Sequence, residues 1–261
     1  WRFYTVPGPG EFGNDTWEGD SWKTGGASIW ITGSYDPETN LTYWGVGNPG
    51  PDWNGDVRKG DNLFSDAVVA LDADTGERKW HFQFTPHDIH DWDATQIMVL
   101  VDREFEGRRR KLLITANRNG FYYVLDRGTG EFLHASPFVK QTWAEGIDEN
   151  GRPVRAPGKE PTAEGNRIYP MVAGGTNWMS PAYSPVTGLY YVTAREGSSV
   201  YFKGEAEYKP GTRFWGGHFD NQDRDEDWAG AVRALDPVTG KLVWEHKLFR
   251  PAWAGLVSTS G

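Results

Sequence analysis

The stretch VRALDPVTGKLVW (232–244) decides the fold, because its pattern occurs at two further places in the chain. The other copies are VVALDADTGERKW (68–80) and YYVLDRGTGEFLH (122–134). Each copy has an alternating apolar run, then Asp-x-x-Thr-Gly, then a second run that ends in Trp in two of the three cases. This pattern predicts a β-hairpin with a tight, glycine-containing turn.

The spacing of these hairpins indicates a repeated unit. The turn residues Asp72, Asp126 and Asp236 are 54 and 110 residues apart, and the second interval corresponds to about two repeats of 55. In addition, GSYDPETNLTYWGVG (33–47) resembles SPAYSPVTGLYYVTA (180–194), which predicts the first hairpin of each unit. Two hairpins give four strands, the blade of a β-propeller. We therefore predict an all-β fold with about four to five four-stranded blades.

The composition excludes several classes of partner. The 261 residues include 36 acidic and 27 basic side chains and no Cys, and the net charge is −9. This acidity argues against a nucleic-acid surface. The basic cluster at 108–111 is the exception, and its place between Glu-Phe-Glu-Gly and an apolar run favours a solvated hairpin tip over a phosphate site. No apolar run approaches the roughly 20 residues of a membrane helix.

Both ends of the sequence read as parts of further blades. Trp1 looks like the Trp that closes a blade, and PAWAGLVSTSG (251–261) reads as the beginning of another. We therefore expect a single, partial propeller domain over residues 1–261 that is truncated at both ends.

Five longer motifs narrow the choice of propeller. They are Gly-Gly-x-x-x-Trp (25–30), TYWGVGNPGPDWN (42–54), GDN (60–62), WHFQFTPHDIHDWD (80–93) and TANRNGFYYVLDR (115–127). Together they resemble the quinoprotein alcohol dehydrogenases, which are eight-bladed propellers with pyrroloquinoline quinone (PQQ) and a metal ion on the central axis. The resemblance implies a propeller of the quinoprotein dehydrogenase type, of which this chain supplies part.

The resemblance implies a metal site made by Asn48, Asp91 and Asp93. Amide and carboxylate oxygens suit a hard cation, either Ca²⁺ or a lanthanide. The Asp91-Trp92-Asp93 spacing accompanies lanthanide-dependent members of the family, and on a strand both carboxylates would face one side. Plainer roles stay open, because Asn48 would also suit a turn before Pro49 and Asp93 would also suit a solvent-facing or turn-capping position.

Catalytic and cofactor-binding residues follow from the same resemblance. Asp91 corresponds to the catalytic base and Arg118 to the Arg that reaches the reactive oxygens of the quinone. Trp30 corresponds to the indole on which the quinone stacks. The alternatives are a salt bridge for Arg118 and blade packing for Trp30. Weaker matches place three more residues around the quinone: Asn177, Trp178 and Trp253.

The remaining residues of the His-rich stretch have no helical zinc pattern. We interpret His87 and Asp88 as hydrogen-bonding residues that fix the loop, and we predict that His90 lines the substrate pocket. The family's Glu ligand to the metal and its adjacent-cysteine disulfide ring are implied in blades before Trp1.

The implied function is oxidation of a primary alcohol to an aldehyde, with Asp91 as general base and hydride transfer to the metal-bound quinone. No haem-attachment Cys-x-x-Cys-His occurs in the sequence, so a separate cytochrome c is the expected electron acceptor. The resemblance also implies a periplasmic protein and allows a homodimer. The alternatives are a non-catalytic scaffold or assembly module and a membrane-type quinoprotein sugar dehydrogenase.

Overall fold

Three four-stranded antiparallel sheets form the framework of the chain. The computed structural model describes residues 1–221 and 228–259. The first sheet comprises β1–β4, which are Ser34–Asp36, Leu41–Gly45, Ala67–Asp72 and Arg78–Gln83. The second comprises β5–β8, which are Val99–Phe105, Arg108–Ala116, Phe121–Asp126 and Phe132–Pro137. Within each of these two sheets the strands pair in chain order, as in a propeller blade.

The third four-stranded sheet is interrupted by an excursion of the chain. Between the second and third sheets lie β9 (Ala144–Ile147), β10 (Pro153–Arg155) and β11 (Asn166–Ile168). The strands that follow are β12–β17, which are Ala182–Ser184, Leu189–Glu196, Ser199–Lys203, Gly217–Asn221, Ala229–Leu235 and Leu242–Leu248. The third blade has the order β12-β13-β16-β17, while β14 and β15 pair with β11 in a separate sheet.

The predicted hairpins are confirmed, but the predicted number of blades was too high. Among the described residues there are three four-stranded sheets, not four to five. The 110 residues between Asp126 and Asp236 hold one blade together with the small sheets β9-β10 and β11-β14-β15. A spacing of two repeats cannot distinguish a further blade from inserted segments of the same length.

The three Asp-x-x-Thr-Gly turns share one hydrogen-bond pattern. In the third turn the Oδ1 atom of Asp236 accepts from the backbone N–H groups of Val238 (3.1 Å) and Thr239 (2.8 Å) and from the Thr239 hydroxyl (2.9 Å). Asp72 and Asp126 make the corresponding bonds in the other two turns. This local bonding explains why the motif recurs.

Tryptophan side chains join successive blades through the glycine of these turns. Trp80, at the end of the first motif, lies against Gly130 of the second turn, where a Cβ would come within 2.7 Å of the indole. The Trp80 indole N–H donates to the backbone oxygen of Arg127 at 3.2 Å. Trp1 packs on Gly76 in the same manner, and its indole N–H donates to Ala73 O at 3.0 Å. Trp1 therefore has the contacts of a blade-closing Trp, as predicted.

The core lies between the blades, so the third strand of a blade is apolar on both faces. Five of the six residues of β3 and of β7 are buried. The described helices are short 3-10 turns, namely Asn14–Thr16, Ser21–Thr24 and Gly55–Val57. Among the described residues, none of the helices has the length and apolarity to cross a membrane. The cluster at 108–111 begins β6 at a two-residue hairpin turn, which confirms the predicted hairpin tip.

Candidate active site

The loop at 85–96 leaves β4 and carries the predicted acidic residues into the molecule. The carboxylate of Asp88 is buried and accepts hydrogen bonds from the backbone N–H groups of His90 (3.2 Å) and Trp92 (3.0 Å). Asp91 has a left-handed backbone with φ of 61°, and residues 91–95 do not form a strand. The expectation that Asp91 and Asp93 share one face of a strand was therefore wrong, although the structure still brings both carboxylates to one guanidinium.

The carboxylate of Asp93 connects three of the predicted site residues. Its Oδ1 atom accepts from the Trp30 indole N–H at 3.3 Å and from the Asn48 backbone N–H at 3.0 Å. Its Oδ2 atom forms an ion pair with Arg118. The approach to Asn48 requires glycine at position 47, because a Cβ there would lie 2.5 Å from Asp93 Oδ1.

Arg118 is buried and is held on several sides. Its Nη2 atom lies 3.6 Å from Asp91 Oδ2 and donates to the carbonyl oxygen of Val172 at 2.6 Å. The side chain of Gln96 connects the two halves of the site, since its Oε1 accepts from Arg118 N at 3.3 Å and its Nε2 donates to Asp93 O at 3.0 Å. Arg118 therefore reaches both carboxylates from a fixed position.

The electrostatics of the site favour a bound cation. Burial raises the pKa of Asp91 well above its usual value, Arg118 opposes that rise, and the negative charge of Asp93 adds to it. Burial also raises the pKa of Asp52 to about 6, against the hydrogen bond that its carboxylate receives from Asn48. Besides burial, the negative charges of Asp88 and Asp93 raise the pKa of Asp52 and of Asp66 further, and the Arg58 guanidinium opposes both rises.

The predicted ligands are carboxylate and amide oxygens, the donor atoms that a hard cation prefers. Among the described residues, both carboxylate oxygens of the buried Asp66 lack a hydrogen-bond partner. Within the same residues, no three His, Asp or Glu side chains converge closely enough to enclose a metal. The predicted set supplies two carboxylates and the amide oxygen of Asn48, and further oxygen donors are needed to reach the six or more that Ca²⁺ takes.

The segment that carries Asn177 packs against Arg118, and Trp30 shares the carboxylate of Asp93 with Arg118. Gly174, just before Asn177, packs so closely on Arg118 that a Cβ would lie 2.7 Å from its side chain. The indoles of Trp30, Trp178 and Trp253 are about half exposed, at 43, 43 and 54%. The exposed part of each indole is available for contact with a planar aromatic cofactor.

Arg195 is a buried residue near Arg118 for which the sequence indicated no role. Its guanidinium lies 4.0 Å from the ring centroid of Trp253 and donates to Ala252 O at 2.9 Å, and its backbone N–H donates to Gly175 O at 2.7 Å. Burial and the charge of Arg118 lower its pKa to about 10. Among residues 1–221 and 228–259, its Nε atom and that of Arg118 are buried without a hydrogen-bond partner, which suits an anionic ligand.

His90 does not line a pocket, which corrects the prediction. It is buried, stacks on Trp92 with ring centroids 4.2 Å apart, and meets Tyr201 edge to face. The left-handed turn at Asp91 sends the neighbouring side chains in different directions, so His90 joins the aromatic core. His87 and Asp88 do fix the loop, as predicted, because His87 Nδ1 contacts Gly60 O at 2.9 Å and Asp88 binds two backbone N–H groups.

Four-stranded blades joined by Trp-on-Gly contacts, with an acidic site beside the Trp30 indole, are features of the quinoprotein class of β-propellers. The chain belongs to the family described as PQQ glucose/ethanol/alcohol dehydrogenase, β-propeller domain, whose model matches residues 1–146.

Proteins similar to this chain are named as alcohol or methanol dehydrogenases. The chain is 47% identical to quinoprotein alcohol dehydrogenase PedH of Pseudomonas putida, and the match covers 97% of this chain and 43% of the relative. It is 40% identical to a lanthanide-dependent methanol dehydrogenase of Methylacidiphilum fumariolicum, over 97% of this chain and 42% of the relative. A solved europium-containing methanol dehydrogenase superposes with a TM-score of 0.88 at 39% identity, over 97% and 45% of the two chains. The chain thus spans under half the length of these relatives.

Proposed function

We propose that the protein containing this chain is a PQQ-dependent alcohol dehydrogenase that oxidises a primary alcohol to an aldehyde. The observation that carries the proposal is the contact network of Asp91, Asp93 and Arg118 with Asn48 and Trp30. Residues from four distant parts of the chain meet there, and they are residues for which the resemblance to the family implies roles at the site. The named activities of the relatives, alcohol and methanol oxidation, support the same proposal.

Asp91 would accept the hydroxyl proton of the alcohol. Its pKa, which burial raises, gives the carboxylate a higher proton affinity than an exposed Asp, and Arg118 at 3.6 Å favours the ionised form that a base needs. Arg118 would hold the reacting group in place, because Asp93 and Val172 O fix its guanidinium. Trp30, pinned by Asp93, would present its indole face to the cofactor.

The cofactors of the proposed enzyme are PQQ and one metal ion, either a lanthanide or Ca²⁺. The residues that would hold the cation are Asn48, Asp91 and Asp93, and those around the quinone are Trp30, Arg118, Asn177, Trp178 and Trp253. When bound, the quinone takes up the hydrogen and the two electrons that leave the alcohol carbon, while the cation polarises its carbonyl. We further propose a periplasmic location and a cytochrome c as electron acceptor.

The test is dye reduction by the full-length protein reconstituted with PQQ and either La³⁺ or Ca²⁺. We expect a primary alcohol such as ethanol to reduce the dye, and glucose to do so at least tenfold more slowly. The family description includes glucose dehydrogenases, so the two substrates are compared directly. Failure of the reconstituted protein to oxidise either substrate would favour the scaffold alternative, whereas faster oxidation of glucose would favour the sugar dehydrogenase.

A further inference from the structure

Both amide hydrogens of the Asn48 side chain are engaged. Its Nδ2 atom donates to Asp52 Oδ1 at 3.0 Å and to Pro49 O at 3.3 Å. The orientation of the amide plane is therefore fixed, and Oδ1 is the remaining polar atom of the side chain. The Pro49 contact comes from the adjacent residue. The Asp52 contact is made by a carboxylate that lies in the motif at 42–54 but to which the resemblance gave no role.

The loop that carries Asp52 is itself held in place on both sides. Gly50 N donates to Gly25 O at 2.9 Å, and Pro51 O accepts from the buried guanidinium of Arg58 at 2.8 Å. Trp53 N donates to Trp215 O at 3.0 Å. The backbone before and after Asp52 is anchored by these hydrogen bonds. The position of Asp52 in the loop is therefore fixed, and its carboxylate lies within hydrogen-bonding distance of Asn48.

We propose that Asp52 is a positioning residue for the metal site, one that directs the amide oxygen of Asn48 toward the cation and favours a trivalent ion over a divalent one. The inference rests on the proposed function, which makes Asn48 a metal ligand. A carboxylate that accepts from an amide N–H polarises the amide and makes its oxygen a stronger ligand. The attraction between the Asp52 charge and the ion grows with the charge of the ion.

Metal binding by the full-length, metal-free protein distinguishes two contributions of Asp52, which are the hydrogen bond that orients Asn48 and the negative charge of the carboxylate. The probes are Eu³⁺, followed by its luminescence, and Ca²⁺, followed by calorimetry. We expect Asp52→Ala to weaken Eu³⁺ binding about 10- to 100-fold, the usual effect of losing an outer partner of a metal ligand. Asp52→Asn keeps an acceptor for Asn48 Nδ2 but removes the charge, so it should lose less Eu³⁺ affinity and should lower the Eu³⁺-to-Ca²⁺ affinity ratio.

The matched control is Asp36→Asn, which removes a buried carboxylate paired with Arg127 (2.7 Å) in another part of the first blade. It should lower stability without changing either metal affinity. If Asp52 served only to hold its loop, both Asp52 variants would lower the thermal midpoint and leave the affinity ratio unchanged, and that result would overturn the inference. Wild-type protein that bound neither ion would instead overturn the proposed function as well.

Discussion

The Asp-x-x-Thr-Gly turns and the loop at 85–96 use the same residue type for opposite purposes. In the turns, backbone and hydroxyl donors supply each carboxylate with three hydrogen bonds, and these bonds lower the pKa of Asp72 and outweigh the effect of burial on the pKa of Asp236. In the loop, burial raises the pKa of Asp91, whose described partner is Arg118 at 3.6 Å. The supply of donors thus decides whether an Asp holds the fold or remains available for chemistry.

Asp93 and Asp91 also differ in the number of donors that contact their carboxylates. Asp93 resembles the turn residues, because Trp30, Asn48 and Arg118 all donate to its carboxylate. Asp91 has no comparable set of donors in the part of the chain that the structure describes. We therefore interpret Asp93 as the anchor that holds the site together, with any metal contact made through its remaining lone pairs, and Asp91 as the group that takes the proton.

The largest expected effect belongs to Asp91. Asp91→Asn should lower kcat for alcohol oxidation by about 10²- to 10⁴-fold, because the amide cannot accept the hydroxyl proton. Bound quinone, measured by its absorbance after gel filtration, should remain. Asp236→Asn, at a turn, is the comparison and should leave kcat within twofold of wild type. Near-normal turnover by Asp91→Asn would show that Asp91 is not the general base.

The next effect tests the contact between blades. Gly130 has φ of 78°, and a Cβ there would lie 2.7 Å from Trp80, so Gly130→Ala should lower the free energy of unfolding by about 2–4 kcal/mol. Gly128→Ala, in the same turn, is the control, because its Cβ would lie 3.4 Å from Asp126 Oδ1 and would meet ordinary contact. Equal urea midpoints for the two variants would mean that the Trp-on-Gly contact does not stabilise the propeller.

Removal of a turn carboxylate should cost less stability than the change at Gly130. Asp236→Ala removes an acceptor for two backbone N–H groups and one hydroxyl, and should cost about 1 kcal/mol, as the loss of a capping side chain does. Chemical denaturation of the full-length protein measures the cost. The metal affinities should not change. A change in them would contradict the interpretation that the turn carboxylates serve the fold and not the metal site.

The smallest effect concerns pH. Burial, with the charge of Arg78, lowers the pKa of His81 to about 4, so between about pH 4 and 6.5 the unfolded chain binds more protons and stability falls as pH falls. His81→Phe, which preserves packing on Phe64, should remove the contribution of this imidazole to that loss. Denaturation midpoints at pH 7 and 4.5 give the comparison. An unchanged pH dependence in the variant would show that another group titrates.

Local patterns predicted the hairpins, because the bonds that make each turn lie within five residues. The long motifs also named residues that the structure brings into contact, such as Asn48, Asp93 and Arg118. The left-handed backbone at Asp91 was not predicted, since Asp is one of several residues that tolerate it without requiring it. Arg195 was missed because its partners are set by the tertiary fold, whereas Asp52 lies only four residues from Asn48 in the motif at 42–54 and was given no role there.

The most direct test of the central claim is anomalous diffraction from crystals of the full-length protein reconstituted with PQQ and a lanthanide. We predict one strong anomalous peak at coordination distance, about 2.3–2.6 Å, from Asn48 Oδ1 and an Asp91 carboxylate oxygen. A lanthanide bound at another place, with Asn48 and Asp91 outside its coordination sphere, would contradict the account.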